Sequence, residues 1–441
     1  RGPRRQWMQR VLGPLFLPVG FPASVRPEYL EYQFWDTVQA LTSYLRGIFS
    51  TRAVLVSVGV GNESASALAA AITWVLRDGA GMLGSLFFGY WCGGSFDSFL
   101  KEWRLFADLI NDVGLLLDML SPHLAADLVL PVASLATVCK AMCGVAAGST
   151  KASITAHMAL RGNNADVAAK ESAQETAVTL VGIILGVLLA RGLEPSESSA
   201  SGVETATAVW AMFLVLTVLH IVANFFGVRA LRLTSLNRHR VDILHRMALE
   251  GVDPVKRTVE EVAKVEGREW MTLPARIART RRIRIGCRFD ELYATPDHLQ
   301  LLQQLAKKGG HHGRYLINLV TPGSLPHIAV VLLDGASKQD ELMSYVHALE
   351  LERLCHMAFD RTGPKWKDGA HRQRRVVALL EAAAEGVQHA WGSFTELQQD
   401  ADTAEEKGPE NRKRKGGATN MRWDFHNVLV HAGSWRVRLV E

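Results

Sequence analysis

The chain has 441 residues, room for two or three domains, with a formal net charge of +5 and a mean hydropathy of +0.06. That average conceals a split: residues 33–230 are rich in Ala, Gly, Leu and Val, whereas residues 231–441 hold most of the Lys, Arg, Asp and Glu. The basic excess gathers at Arg4-Arg5, Arg279–Arg284 and Arg412–Lys415, which fits anionic lipid beside apolar spans, and no zinc-finger, RNA-binding or helix-turn-helix signature supports nucleic acid.

The first 32 residues read as a basic flank. The chain starts at Arg1 rather than Met, and five arginines precede its first acid, Glu28. An N-terminal piece is therefore expected to be missing or removed. The flank is read either as the remnant of an organellar transit region or as a basic segment facing the cytosol. The placement expected is an integral one, in a plastid, mitochondrial or endomembrane bilayer.

A helical span needs roughly 20 mostly apolar residues. Six candidates lie in 33–230: Phe34–Gly59, Ser64–Cys92, Leu105–Leu120, Leu124–Ala147, Thr176–Ala190 and Ala206–Val228. The second, fourth and sixth are clear; Arg46 and Arg52 mar the first, and Asp108, Asn111, Asp112 and Asp118 the third. With the N-terminus inside, the inner loops carry Lys101 and Arg104, then Lys151, Arg161 and Lys170, then Arg229, Arg232, Arg238 and Arg240. The outer loops contain no Lys or Arg, with Arg191 at the edge. This alternation supports six spans with both ends inside. The sequon Asn62-Glu63-Ser64 lies too near the membrane to be a good acceptor.

After the sixth span, residues 231–268 read as a charged helical connector, interrupted near Gly251–Pro254. Residues 269–441 read as a soluble α+β domain with a flexible insertion at 399–420. Strands are expected at Ile283–Phe289, Tyr315–Val320 and His327–Leu333, with a closing pair near Asn427–His431 and Trp435–Val440. Helices are expected at Pro296–Lys307, Gln339–Ala358 and Arg372–Leu397. No Walker motif, nucleophile elbow or metal-ligand spacing is present, and His311-His312 reads as a plain loop pair. The five cysteines form no CxxC pair. Neither a cofactor, a metal nor an enzymatic activity is expected.

Polar residues inside spans mark helix staples or solute and ion paths. Arg77 and Asp78 are adjacent, so they point about 100° apart and each is expected to meet another helix. Asp108 shares a helix face with Asn111 and Asp112, with Lys140 of the fourth span as a counter-charge. Asp166 and Lys170, and Glu171 and Glu175, are each one turn apart, and Lys170 shares another face with Gln174. The path residues are therefore Asp36, Asp78, Asp108, Asn111, Asp112, Lys140, Glu171, Gln174 and Glu175. The stretch Gly93–Asp97, followed by Lys101 and Arg104, resembles the cytoplasmic loop motif of the major facilitator superfamily, with Ser98 in place of the usual Arg. Six spans equal one half of that fold. Gly93, Asp97, Lys101 and Arg104 form the expected gate.

Several ordered stretches, Val19–Val25, Tyr32–Asp36, Val58–Gly61, Trp74–Gly84, Trp103–Asp112 and Asn164–Thr176, together resemble the ROOT UV-B SENSITIVE family of membrane proteins. The resemblance spans roughly residues 17–230. Ser85 stands where the family has Arg, and Glu102 where it favours an uncharged or basic residue. The resemblance implies a multi-span membrane protein tied, in plants, to seedling development, auxin distribution and vitamin B6 homeostasis, whose members act with one another. Two functions are weighed: a transporter-like protein with a polar intramembrane site, working as a dimer or with another family member, and a non-transporting scaffold whose soluble domain docks a protein partner. An intramembrane enzyme ranks third, because His157 and His220 read as isolated structural histidines.

Overall fold

The computed structural model describes residues 13–57, 67–192, 202–251, 257–266, 282–292, 299–300, 302–304, 314–320, 327–358, 374–387 and 424–430. The chain divides into two compact units, Arg1–Leu231 and Arg232–Glu441.

The first unit is built from six long helices: α1 (Tyr29–Ser57), α2 (Ala67–Cys92), α3 (Leu100–Leu120), α4 (Ala126–Met158), α5 (Asn164–Gly192) and α6 (Gly202–Ala230). Each expected span falls on one of them, but the helices run further into the polar sequence than hydropathy predicts. Lys101 and Arg104 lie in the first turns of α3, Lys151 in α4 and Lys170 in α5, rather than in loops. Helical propensity continues through such residues, whereas hydropathy sees only apolar length.

Among the described residues, three helices are long and apolar enough to cross a membrane: Asp127–Met158, Asn164–Leu189 and Ala206–Ala230. The first three of the six expected spans fall outside this set; the second does so because Arg77 and Asp78 interrupt it at mid-helix. The fifth, entered through a polar lead-in, belongs to it.

α1 packs against α3, α5 and α6, while α4 packs against both α2 and α3. Leu45, Phe49, Leu115, Met119, Phe213 and Leu216 make one apolar cluster, and Phe88, Phe96, Ala107 and Ala146 another. Gly114 permits the close approach of α3 to α4: a Cβ there would stand 2.9 Å from the Ala136 carbonyl oxygen. Large apolar side chains instead populate the outside, including Leu83, Leu86, Ile184, Leu188, Val215 and Val218.

The second unit holds a three-stranded sheet in the order β2 (Ile283–Ile285), β4 (His327–Leu332), β3 (Tyr315–Val320). β2 runs parallel to β4 and β3 antiparallel to it. The unit also contains β1 (Ser235–Asn237), α7 (Arg238–Leu249), α8 (Val259–Glu266), α9 (Lys338–Ala358), a helix at 374–387, and β5 (Asp424–Leu429). β1 pairs with β5 in parallel.

The expected connector is thus not a helix continuing from α6. It contains a strand, and Asn237 begins α7 as its N-cap, accepting a hydrogen bond from the Arg240 N–H at 2.9 Å. Leu236, Val241, Leu244 and Val262 lie in this unit's core with strands β2–β4 and α9, so the segment is structural. The closing strand begins at Asp424, earlier than expected. Its expected partner at 435–440, the insertion at 399–420 and His311-His312 lie outside the described residues, as do the sequon and residues 1–12.

Candidate functional site

The interior of the first unit holds a set of buried charges, Arg46, Arg77, Asp108, Asp112, Asp118 and Glu171 among them. Along α1, Gln39 and Arg46 are separated by two helical turns and face the same way as Asp108 and Asp112 on α3. The Gln39 amide nitrogen donates to Asp108 Oδ1 at 2.9 Å and meets His220 Nε2 of α6 at 3.1 Å. The other ring nitrogen, His220 Nδ1, lies 3.2 Å from Asp112 Oδ2. Arg46 Nη1 closes the line with a 2.6 Å bond to Asp112 Oδ1. Arg46 and His220 are both 0% exposed, so these groups interact without water between them. Burying them is costly, and the cost is offset only because each charge meets an opposite or hydrogen-bonding group.

A second knot forms around Asp118. Lys140 Nζ of α4 is 2.6 Å away, Ser50 Oγ of α1 donates at 2.9 Å, and Arg77 Nη2 of α2 lies at 3.4 Å. Arg77 also donates to Thr137 and lies over the Trp74 ring. Four helices therefore converge on one carboxylate.

A third group surrounds the α4–α5 junction. Glu171 accepts from Gln33 at 3.1 Å and from Thr155 at 2.7 Å, while Glu175 pairs with Lys151. Asp166, Lys170 and Gln174 bind backbone of the segment before α1: Val19 N–H, Pro14 C=O and Phe16 C=O respectively, each at 2.7 Å. The polar run on α5 thus straps down the preceding segment, which also bridges Val25 to Ala159.

Two cavities touch these groups. A cleft of about 10 Å³, room for one water, is lined by Tyr32, Trp35, Asp36, Gln39, Arg104 and Asn224 among others. Within it, Arg104 pairs with Asp36 at 3.0 Å. An open groove of about 450 Å³ runs between α4 and α5 beside Lys151, Thr155, Asn164 and Glu171. Neither of these two is lined by Asp78, Asp112 or Glu175.

Of the expected path residues, Asp36, Asp108, Asp112 and Glu171 enter paired clusters. Lys140 is the counter-charge of Asp118 rather than of Asp108 or Asp112: its stem passes beside Gly114 and its ammonium reaches Asp118, while Asp112 is held by Arg46 and His220. Asp78 is exposed and Asn111 half-buried, outside these clusters. Arg77 does meet other helices, as its position required. At the expected gate, Gly93 opens a short 3₁₀ turn and Asp97 accepts from Ser153 at 2.6 Å, while Lys101 is buried and Arg104 turns inward to Asp36.

Gln33, Gln39, Arg46, Asp118 and Thr155 join these clusters without standing among the expected path residues, and His220, expected to be an isolated structural histidine, contacts Gln39 and Asp112. Arg46 and Asp118 were visible as costly charges inside spans. His157 does have a structural partner, Glu28, at 3.1 Å.

Among the described residues no group of three His, Cys, Asp or Glu could hold a metal ion. The first unit is a helical bundle with buried ion pairs inside and large apolar side chains on its outside. A family profile described as "Vitamin B6 photo-protection and homoeostasis domain" matches residues 2–251, and one described as "Root UVB sensitive protein, C-terminal" matches residues 259–406. The chain belongs to the root UVB sensitive family. It is 38% identical to "Protein root UVB sensitive 3" of Arabidopsis thaliana over 362 residues, covering 80% of this chain and 78% of that one. It is 40% identical to "RUS family member 1" of Dictyostelium discoideum over 256 residues, 58% of this chain and 47% of that one. "Protein root UVB sensitive 2, chloroplastic" of Arabidopsis thaliana is 31% identical over 229 residues, 52% of this chain and 50% of that one. No solved structure matches the chain.

Proposed function

We propose that the first unit is an integral membrane bundle that moves a small solute, with the Asp108–Gln39–His220–Asp112–Arg46 line as its working interior. The observation that carries this reading is the cleft wall at Gln39: the residue that lines a water-sized opening also holds the buried line together. Intramembrane ionisable residues beside such openings are how transporters handle ions and protons. The inverted polarity of the bundle supports its placement in a bilayer of an organelle or the endomembrane system, since water would not tolerate that apolar surface.

Six helices correspond to one half of a two-part transporter, so the working form is a pair, with a second copy or another family member. The family's domain description makes a B6 vitamer the first solute to try. The test is uptake of labelled pyridoxal or pyridoxine by vesicles containing the purified chain, comparing wild type with Asp108→Asn. Loss of uptake in a folded variant is expected. Equal flux with and without protein would overturn the proposal.

A scaffold reading has its own observation: Asp118 ties α1, α2, α3 and α4 together. On that reading the second unit docks a protein partner, and substitutions at the charged lines lower stability without any flux to lose.

A further inference from the structure

Asp78 stands apart from the buried clusters. It lies eleven residues from the start of α2 at Ala67 and fourteen from its end at Cys92, roughly 16 and 21 Å along the axis. Its neighbour Arg77 turns inward to Asp118, but Asp78 is exposed, with the exposed side chains of Trp74, Val75 and Met82 around it. Among the described residues no cation or hydrogen-bond donor meets its carboxylate. A side chain this short does not reach water from the middle of a span, so an unpaired carboxylate facing lipid there is costly.

Two arginines show the opposite lack. Arg52 is exposed near the end of α1 and Arg191 in the last turn of α5, and neither meets an acid among the described residues. Gly182 faces Tyr44 and Gly186 faces Ile48, so α1 and α5 advance side by side in the same direction. Arg52 lies four residues beyond Ile48 and Arg191 five beyond Gly186, which brings the two to one level at the same end of the bundle. Like charges placed so repel unless an anion joins them. That level is also the one at which Asp78 sits. Ser50, two residues before Arg52, and Arg77, next to Asp78, both donate to the Asp118 carboxylate.

We propose that these charges mark an interface between two copies of the chain, in which Asp78 of each copy is held by Arg52 and Arg191 of the other. A twofold axis along the membrane normal keeps every residue at its own depth and forms both contacts at once. An antiparallel pair would carry the arginines to the opposite leaflet. A lipid headgroup does not descend to the middle of α2, so the cation that meets Asp78 comes from protein, and the chain itself exposes two at the right depth. The interface rests on the membrane placement and the pairing proposed above, and it names the surface through which the pair forms.

Sedimentation of the purified full chain in detergent micelles tests it. Wild type should form a pair. Asp78→Arg should weaken pairing by about tenfold or more, and so should Arg52→Glu combined with Arg191→Glu, because like charges then face each other. Mixing the two variants should restore pairing, since every contact in the mixed pair again joins opposite charges. If either variant fails to insert, differently tagged copies carrying Arg52→Cys and Asp78→Cys carry the test. Copper phenanthroline should then cross-link the two tags above the background of the native cysteines. A monomeric wild type, a pair indifferent to both reversals, a mixture no better paired than its components, or no cross-link above background would overturn the interface. A monomer that still takes up solute removes the interface and leaves transport standing; a pair held by these charges without uptake does the reverse.

Discussion

At the scale of single residues, what matters is how many partners each buried charge has. Arg46 is fully buried and depends on Asp112 for its ion pair. Arg46→Met should therefore destabilise the first unit by about 3–5 kcal/mol, because it leaves the buried Asp112 carboxylate without its arginine and with only the His220 ring beside it. Arg46→Met combined with Asp112→Leu should recover a large part of that loss, since an apolar pair of similar volume avoids both desolvation costs. Denaturant unfolding in detergent micelles, with the single and double variants compared as a cycle, checks both expectations. Lys140→Met should cost less than Arg46→Met. Asp118 retains Arg77 and Ser50 when Lys140 is removed, and Lys140 is already 31% exposed.

At the scale of elements, α3 is the helix on which the site is assembled, and its packing against α4 depends on Gly114. Gly114→Leu places side-chain atoms against the Ala136 backbone and the Lys140 stem. It should destabilise by about 1–3 kcal/mol as overpacking does, lowering the melting temperature and loosening the Asp118 knot.

In the second unit, burial raises the Glu350 carboxyl, but hydrogen bonds from Arg353 and His245 outweigh it and hold the group down, from an ordinary 4.5 to about 2. A depressed carboxyl stabilises the fold above its unfolded value and loses that contribution as pH falls through its folded one. Stability of this unit should therefore decline from about pH 4.5 towards pH 2. Glu350→Gln should flatten that decline, as read by near-UV circular dichroism of the full chain.

The elements also show what was readable beforehand. Helix positions in the first unit followed from apolar runs, and the strands at 315–320 and 327–332 from β-branched stretches between turn signals. The boundaries of α3 and α5 did not, because hydropathy stops at the first charge while the helix continues to its cap. The pairing of Lys140 with Asp118 was equally hidden. Spacing along one helix gives the face a residue occupies, but not how far a neighbouring helix is shifted along its axis. His220 needed three helices in place before its contacts with Gln39 and Asp112 could form.

At the scale of the whole molecule, the decisive contrast is between an interior that carries Arg46, Asp112, Asp118 and His220 and an exterior carrying Ile184, Leu188, Val215 and Val218. On the membrane reading proposed above, that exterior faces lipid. The outer face of α5 turns this contrast into a measurement. Ile184 is 62% exposed. On a surface bathed in water, Ile184→Arg would change stability by no more than about 0.5 kcal/mol. Facing a bilayer near the helix centre, the same change should cost about 2.5–3.5 kcal/mol of insertion free energy. The outcome expected is therefore a marked loss of membrane-integrated protein for Ile184→Arg, with Ile184→Leu unaffected, scored by resistance to alkaline carbonate extraction. Wild-type chain released by carbonate, together with normal accumulation of Ile184→Arg, would assign the apolar surface to protein contacts instead.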